Sequence, residues 1–283
     1  MNVLSAGIDD IATETRTAEG WSFFVLPSDV AMEFEHRTKE IAKRHGIPSF
    51  HGKKFKVAQA NAYREFLLLI RATLASHRPG VATTVLMTPE WKSQYVPFAR
   101  SLAAQVMKLG GATSPRLQEI VQRLVAPVWL LQRITSSFAD SEVQIAIDAD
   151  EVTREFDDSA EVIRGISVRA AQFLAIAYKG YRQAKFPSAP LLRSPRDIAV
   201  LPHKKSGMVQ AADTLGNFSN AVLFTKLGDD SKTRQCKARL FQEAFAGCLS
   251  DVDYTSLAVR VGDDLRLLTD GALTLTLTCE DEA

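Results

Sequence analysis

Three aspartates and one histidine stand where side chains could do metal or acid–base chemistry. Asp9 follows the apolar run Val3 to Ile8, Asp148 follows Val143 to Ile147, and Asp213 lies in Gln210-Ala-Ala-Asp213-Thr-Leu-Gly-Asn217. Ligands collect at strand ends in open α/β sheets. Carboxylates gathered there repel unless a divalent cation neutralises them, and hard oxygen donors with retained waters select Mg2+ or Mn2+. Two such ions would activate a water and stabilise the leaving oxygen of a phosphodiester. Asp10 and Asp150 are secondary ligand candidates. His51, in Phe50-His51-Gly52-Lys53-Lys54, reads as a general acid or a phosphate contact. The bland alternatives are turn or cap acids for Asp9, Asp148 and Asp150, and a surface histidine without a role for His51.

Asp213 carries the most specific signal. Gln210, Asp213, Asn217 and Asn220 recur at spacings of three and four, so they share one face of a helix that Ser206 should cap. Lys and Glu, usual on a solvated stripe, are missing from that face. The face is therefore expected to meet something specific, with Gln210 and Asn217 orienting Asp213 or contacting substrate. A buried structural network is the alternative. Lys204 and Lys205 precede this helix, and Lys53 and Lys54 follow His51; all four are candidate phosphate contacts.

The elements that must position these residues are legible in the periodicities. Val3 to Ile8 and Ser22 to Leu26 read as a strand pair, Ala31 to Arg44 as a helix stopped at His45-Gly46, Ala58 to Ser76 as a second helix, and Val81 to Met87 as a strand. Pro97 to Phe138 is helical in pattern, Val143 to Ile147 and Ile198 to Leu201 are short strands, and Arg169 to Tyr178 is a helix or a buried strand. Helices follow from Ser206 to about Leu223 and from Lys232 to Leu249. The tail, Leu257 to Thr278, alternates like a small β-meander. The fold class expected is α/β: a mixed sheet with flanking helices, a helical insertion at about 97–138 and a C-terminal β-meander. Residues 1–224 would form the main domain, with 225–283 packed on it.

The chain of 283 residues, 46% hydrophobic and 24% charged, has a globular composition. Its net charge of +1 conceals segregation: nine acids between Asp140 and Glu161 face only Arg154, and nine bases between Arg164 and Lys205 face only Asp197. A basic surface beside an acidic pocket suits a phosphate polymer, although two solvated faces of opposite sign would look the same. Cys236, Cys248 and Cys279 are widely spaced without a CxxC pair, so a zinc site is not expected and the thiols read as reduced. The acidic N-terminal stretch and the lack of a long apolar run lead to an expectation of a cytoplasmic protein with no membrane partner.

Ile8-Asp9-Asp10-Ile11, Phe50-His51-Gly52, Ile147-Asp148 and Ser206-Gly-Met-Val-Gln210-Ala-Ala-Asp213 together resemble a bacterial family of RNase H-like proteins catalogued as domain of unknown function 3800. That family has an N-terminal strand ending in Asp-Glu-Ser-Gly, a downstream His motif, a strand ending in Asp, and a late helix with Gln-x-Ala-Asp. Order and rough spacing agree over about residues 3 to 224. Asp10 stands for the Glu, and Ile11-Ala12 for the Ser-Gly. The resemblance implies an RNase H-like sheet and a Mg2+- or Mn2+-dependent nuclease or related phosphoryl-transfer enzyme, with Asp9, Asp148 and Asp213 as ligands. Nucleic acid is the partner implied, DNA and RNA not being distinguished; the helical insertion would serve a homo-oligomer or a protein partner. Two rival readings are an RNase H-like scaffold, catalytically weak, that binds nucleic acid or protein, and a haloacid dehalogenase-like phosphatase using Asp148 and Asp150.

Overall fold

The computed structural model describes residues 3–12, 19–77, 80–87, 142–148, 197–226, 228, 230–246 and 272–277, with a few positions between 97 and 127. Most of the expected helical insertion, Asp150, the run from Arg169 to Tyr178 and most of the expected meander lie outside them.

Strands β1 (Val3–Ala12), β2 (Glu19–Pro27), β3 (Val81–Met87), β4 (Glu142–Asp148), β5 (Asp197–Leu201) and β6 (Ala272–Leu277) form one sheet in the order β5-β4-β1-β2-β3-β6. β1, β2, β3 and β6 pair antiparallel in that succession, whereas β4 is parallel to β1 and β5 to β4. The described part of the tail thus adds a strand to the sheet edge beside β3.

β1 runs further than the sequence suggests. Its pairing with β4 ends at Ile8↔Ile147, but its pairing with β2 continues through Asp9↔Ser22 to Ala12↔Glu19. Asp9 is therefore inside a strand, at the point where the parallel neighbour leaves off. The backbone of Asp148, one residue past Ile147, ends β4 beside it.

Side chains alternate across a strand, so β1 and β2 feed both faces of the sheet. Leu4, Ala6, Ile8, Phe23 and Val25 are buried on one side. Phe24, Leu26 and Ala82 join the helical core on the other, with Asp9, Ser22 and Thr84 on that same face. Ser22 and Thr84 bond side chain to side chain at 3.2 Å.

Helices α1 (Ser28–Arg44), α2 (Ala60–Ser76), α3 (Gly207–Lys226) and α4 (Lys232–Ala244) supply the helical layer. In α1 the buried residues Ala31, Phe34, Thr38, Ile41 and Ala42 make a stripe at helical spacing, and each large apolar group contributes about 1.5–3 kcal/mol on burial. The helix closes where Ile47 N donates to Ala42 O and Gly46 N to Lys43 O. Helix α3 differs: from Gly207 to Gly216 every residue is buried, as expected for a helix enclosed on all sides. It lies so close to β1 that a Cβ at Gly7 would fall on the carbonyl of Met208. None of the described helices is long and apolar enough to cross a membrane.

Candidate functional site

The segment 50–55 is held by aromatics at both ends. Phe50 stacks on Phe66, with ring centroids 4.0 Å apart, and meets Tyr63 edge-on. Phe55 packs edge-on against Tyr63 and Phe218, which stack on each other. Between these anchors Gly52–Lys54 forms one 3-10 turn. The turn lies flat on α3, for a Cβ at Gly52 would sit 2.6 Å from Asn217 Cβ and 2.9 Å from Asp213 O.

The polar face of α3 meets this segment. Gln210 accepts from Phe50 N at 2.8 Å and donates to His203 O at 3.3 Å, linking the two approaches to the site. Asp213, fully buried, accepts at Oδ2 from His51 Nδ1 (2.6 Å), Gly52 N (2.6 Å) and His203 Nε2 (3.1 Å), and at Oδ1 from Asn217 Nδ2 (2.6 Å). The rings of His51 and His203 stack with centroids 4.5 Å apart.

Burial alone would favour the neutral acid at Asp213. The hydrogen bonds from His203 and His51, and the positive charge those rings carry when protonated, outweigh it and hold the carboxyl well below the usual carboxylate range. An ionised carboxylate only accepts, which fixes the tautomers: His51 carries its proton on Nδ1 and His203 on Nε2. His51 then presents the lone pair of Nε2 from a ring that is 19% exposed. His203 keeps a buried Nδ1 with no hydrogen-bond partner among the described residues.

Two residues that the sequence reading passed over complete the site. Tyr63 reads as one more member of the α2 apolar stripe, yet its hydroxyl accepts from His51 N (2.8 Å) and donates to His51 O (3.0 Å). His203 reaches Asp213 from a 3-10 turn, His203–Lys205, which has no periodicity to detect. Its only sequence mark is a place between Pro202 and the lysine pair.

Of the sequence candidates, His51, Gln210, Asp213 and Asn217 are brought together. Among the described residues the potential metal-ligating group, with ligand atoms within 4.8 Å of one another, is His51, His203 and Asp213. Asp9 is outside it, buried on the sheet face toward the helices, its Oδ1 accepting from Asp10 N. Asp10 pairs with Lys53 at 3.1 Å, so the 52–54 turn reaches from Asp213 to the end of β1. Lys54, Lys204 and Lys205 are exposed. The N-terminus of α3, expected to attract a phosphate, already holds an anion: Glu35 of α1 accepts from Gly207 N (2.6 Å), Met208 N (3.2 Å) and Ser206 Oγ (2.9 Å). Ser206 caps as expected, accepting from Val209 N at 3.3 Å.

Comparison with protein-family models, curated proteins and solved structures found no match to this chain.

Proposed function

We propose that the chain is an RNase H-like nuclease, or a related phosphoryl-transfer enzyme, that hydrolyses phosphodiester bonds in nucleic acid with carboxylate-bound Mg2+ or Mn2+. The observation that carries the reading is the His51–Asp213 pair at 2.6 Å, set on a helix against a mixed sheet. The antiparallel β1-β2-β3 arrangement continued by parallel β4 and β5 is the kind of sheet this reading expects.

In this reading Asp213 acts through His51. It holds the ring by Nδ1 and leaves Nε2 to take a proton from a water or give one to a leaving oxygen. Asp9 and Asp148, on adjacent parallel strands, would hold the cation, with Asp10 and Asp150 as further candidates. Asp9 fits as a buried hard-oxygen donor, and a cation held there would neutralise phosphate charge and acidify a water. Lys54, Lys204 and Lys205, exposed, would meet the polymer backbone.

The test is cleavage of single- and double-stranded DNA and RNA in Mg2+ and Mn2+. The wild-type chain should cleave at least one of them. His51→Gln should lower the rate by about 10²–10⁴-fold, and Asp9→Asn should abolish metal-dependent cleavage. A wild type inert on all four polymers in both metals would sink the reading.

One observation favours the second reading, a scaffold that binds nucleic acid or protein: both Asp213 oxygens are already engaged by protein donors, as in a purely structural network. Nucleic-acid binding that persists in EDTA, with no cleavage in either metal, selects it.

A further inference from the structure

Asp213 combines total burial, retained charge and two imidazoles, and no Lys or Arg bonds to it among the described residues. We propose that His51 Nδ1, His203 Nε2 and an Asp213 carboxylate oxygen form a binding site for one borderline divalent transition cation of the Zn2+ and Co2+ class. The site differs from the hard-oxygen Mg2+ position of the nuclease reading and does not rest on that reading. It shares His51 and Asp213 with it, and an ion on His51 Nδ1 would take the Nε2 lone pair out of use as a base.

Distances come first. Ligand atoms about 2.0–2.1 Å from a common ion lie about 3 Å apart. Here the two nitrogens are 2.6 and 3.1 Å from Asp213 Oδ2, and all three atoms fall within 4.8 Å of one another. Binding requires the two rings to turn so that their nitrogens face the ion and not Oδ2 directly.

The tautomers permit it as well. For either ring to offer its lone pair to an ion, its proton must move to the other nitrogen. On His51 that nitrogen belongs to a partly exposed ring, where water can accept from it. On His203 it is the buried Nδ1, which has no hydrogen-bond partner among the described residues, so no donor is displaced when it takes the proton and binding of the ion must outweigh leaving that N–H unpaired. Moving both protons gives up the two hydrogen bonds to Asp213 Oδ2, which bonds to the ion replace, and no net proton is lost from neutral rings when the ion binds.

Supporting bonds are in place around the ligands. Asn217 holds Asp213 Oδ1, Gly52 N holds Oδ2, Tyr63 holds the main chain of His51, and Gln210 holds that of His203. Such outer bonds typically set metal affinity by about 10–100-fold. Two imidazoles with one carboxylate are borderline donors, which suit Zn2+ or Co2+ and are poor for Mg2+, an ion that prefers oxygen and retains its waters. The cysteine spacing that argues against a zinc site is irrelevant to a site built from histidines.

The experiment is titration calorimetry of the EDTA-treated, dialysed full chain with Zn2+ and separately with Mg2+, supported by the visible absorption of added Co2+. Wild type should bind one Zn2+, and Co2+ should develop absorption typical of mixed nitrogen and oxygen donors. His51→Gln, on a partly exposed ring, and His203→Gln should each weaken Zn2+ binding by at least about 100-fold. Melting in EDTA checks that each variant is folded, and the His51 variant suffices if the buried one is not. Zn2+ affinity unchanged in folded His51→Gln overturns the proposal, as does wild type that binds no Zn2+. Cleavage in Mg2+ bears only on the nuclease reading, so the two can fail separately.

Discussion

Tyr63 and His51 exchange two hydrogen bonds, the hydroxyl accepting from the His51 amide and donating to the His51 carbonyl. One side chain thus holds both main-chain polar groups of the residue whose ring faces Asp213. Burial, opposed by the bond from His51 and reinforced by the charge of Asp213, pushes the hydroxyl up to about 12, so its proton stays in place throughout the neutral range. Tyr63→Phe keeps the aromatic packing but strands the amide and the carbonyl of half-buried His51. It should lower stability in urea by about 1–3 kcal/mol. Identical unfolding curves for variant and wild type would contradict this role.

Asp213 makes a pH prediction with a definite sign. Its carboxyl is held below the usual carboxylate range in the native state, so the native state binds fewer protons there than the unfolded chain. The stabilisation is fully present above the unfolded value of about 3.9 and is lost as pH falls toward the native one. Thermal unfolding followed from pH 6 downward should therefore show wild type losing stability below about pH 4, relative to its own plateau, more steeply than Asp213→Asn. Parallel curves for the two proteins would remove Asp213 from that acid limb.

Glu35 predicts a cost at a distance from the site. Its carboxylate accepts from two free amides at the start of α3 and from the Ser206 hydroxyl. Glu35→Ala leaves those donors without the anion the helix N-terminus favours and should destabilise by about 1–2 kcal/mol. Glu35→Gln should recover part of the loss. A Glu35→Ala protein as stable as wild type in urea would refute the capping role.

Gly52 predicts a steric effect. Alanine there would drive a methyl against Asn217 Cβ at 2.6 Å and lift the turn off α3. The expected cost is about 1–3 kcal/mol, together with loss of the Gly52 N bond to Asp213. Nuclear magnetic resonance of the His51 ring would report the displacement, and an unshifted spectrum would argue against it.

The helix of Asp213 was legible because its amides and acid break an otherwise apolar pattern at spacings of three and four, and Val81–Met87 because a β-branched run ends near a proline. What the polar face meets was not legible. Phe50, His51 and Gly52 come from about 160 residues upstream and are placed by aromatic packing, which no local periodicity records. Asp9 looked like a strand terminus because the apolar run stops at Ile8, whereas its pairing with β2 depends on strand register, a relation between distant segments. Glu35 lies at the edge of the buried stripe of α1, and its partners Ser206, Gly207 and Met208 come from about 170 residues downstream, which no local pattern records. His203 lies in a turn with no repeat. Among the described residues Asp213 is grouped with two histidines and Asp9 lies outside that group, while the side chain of Asp148, the third expected partner, falls outside the described residues.

The anchoring of Phe50 and Phe55 has a kinetic consequence. A connecting segment without regular secondary structure usually exchanges its amide protons at nearly the rate of free peptide. Here the amides of Phe50, His51 and Gly52 end on Gln210, Tyr63 and Asp213, all side chains of core helices. They can open only when Phe50 or Phe55 leaves its aromatic stack, so their exchange should follow the unfolding of α2 and α3. In solvent-exchange terms this connecting segment behaves as part of the interior.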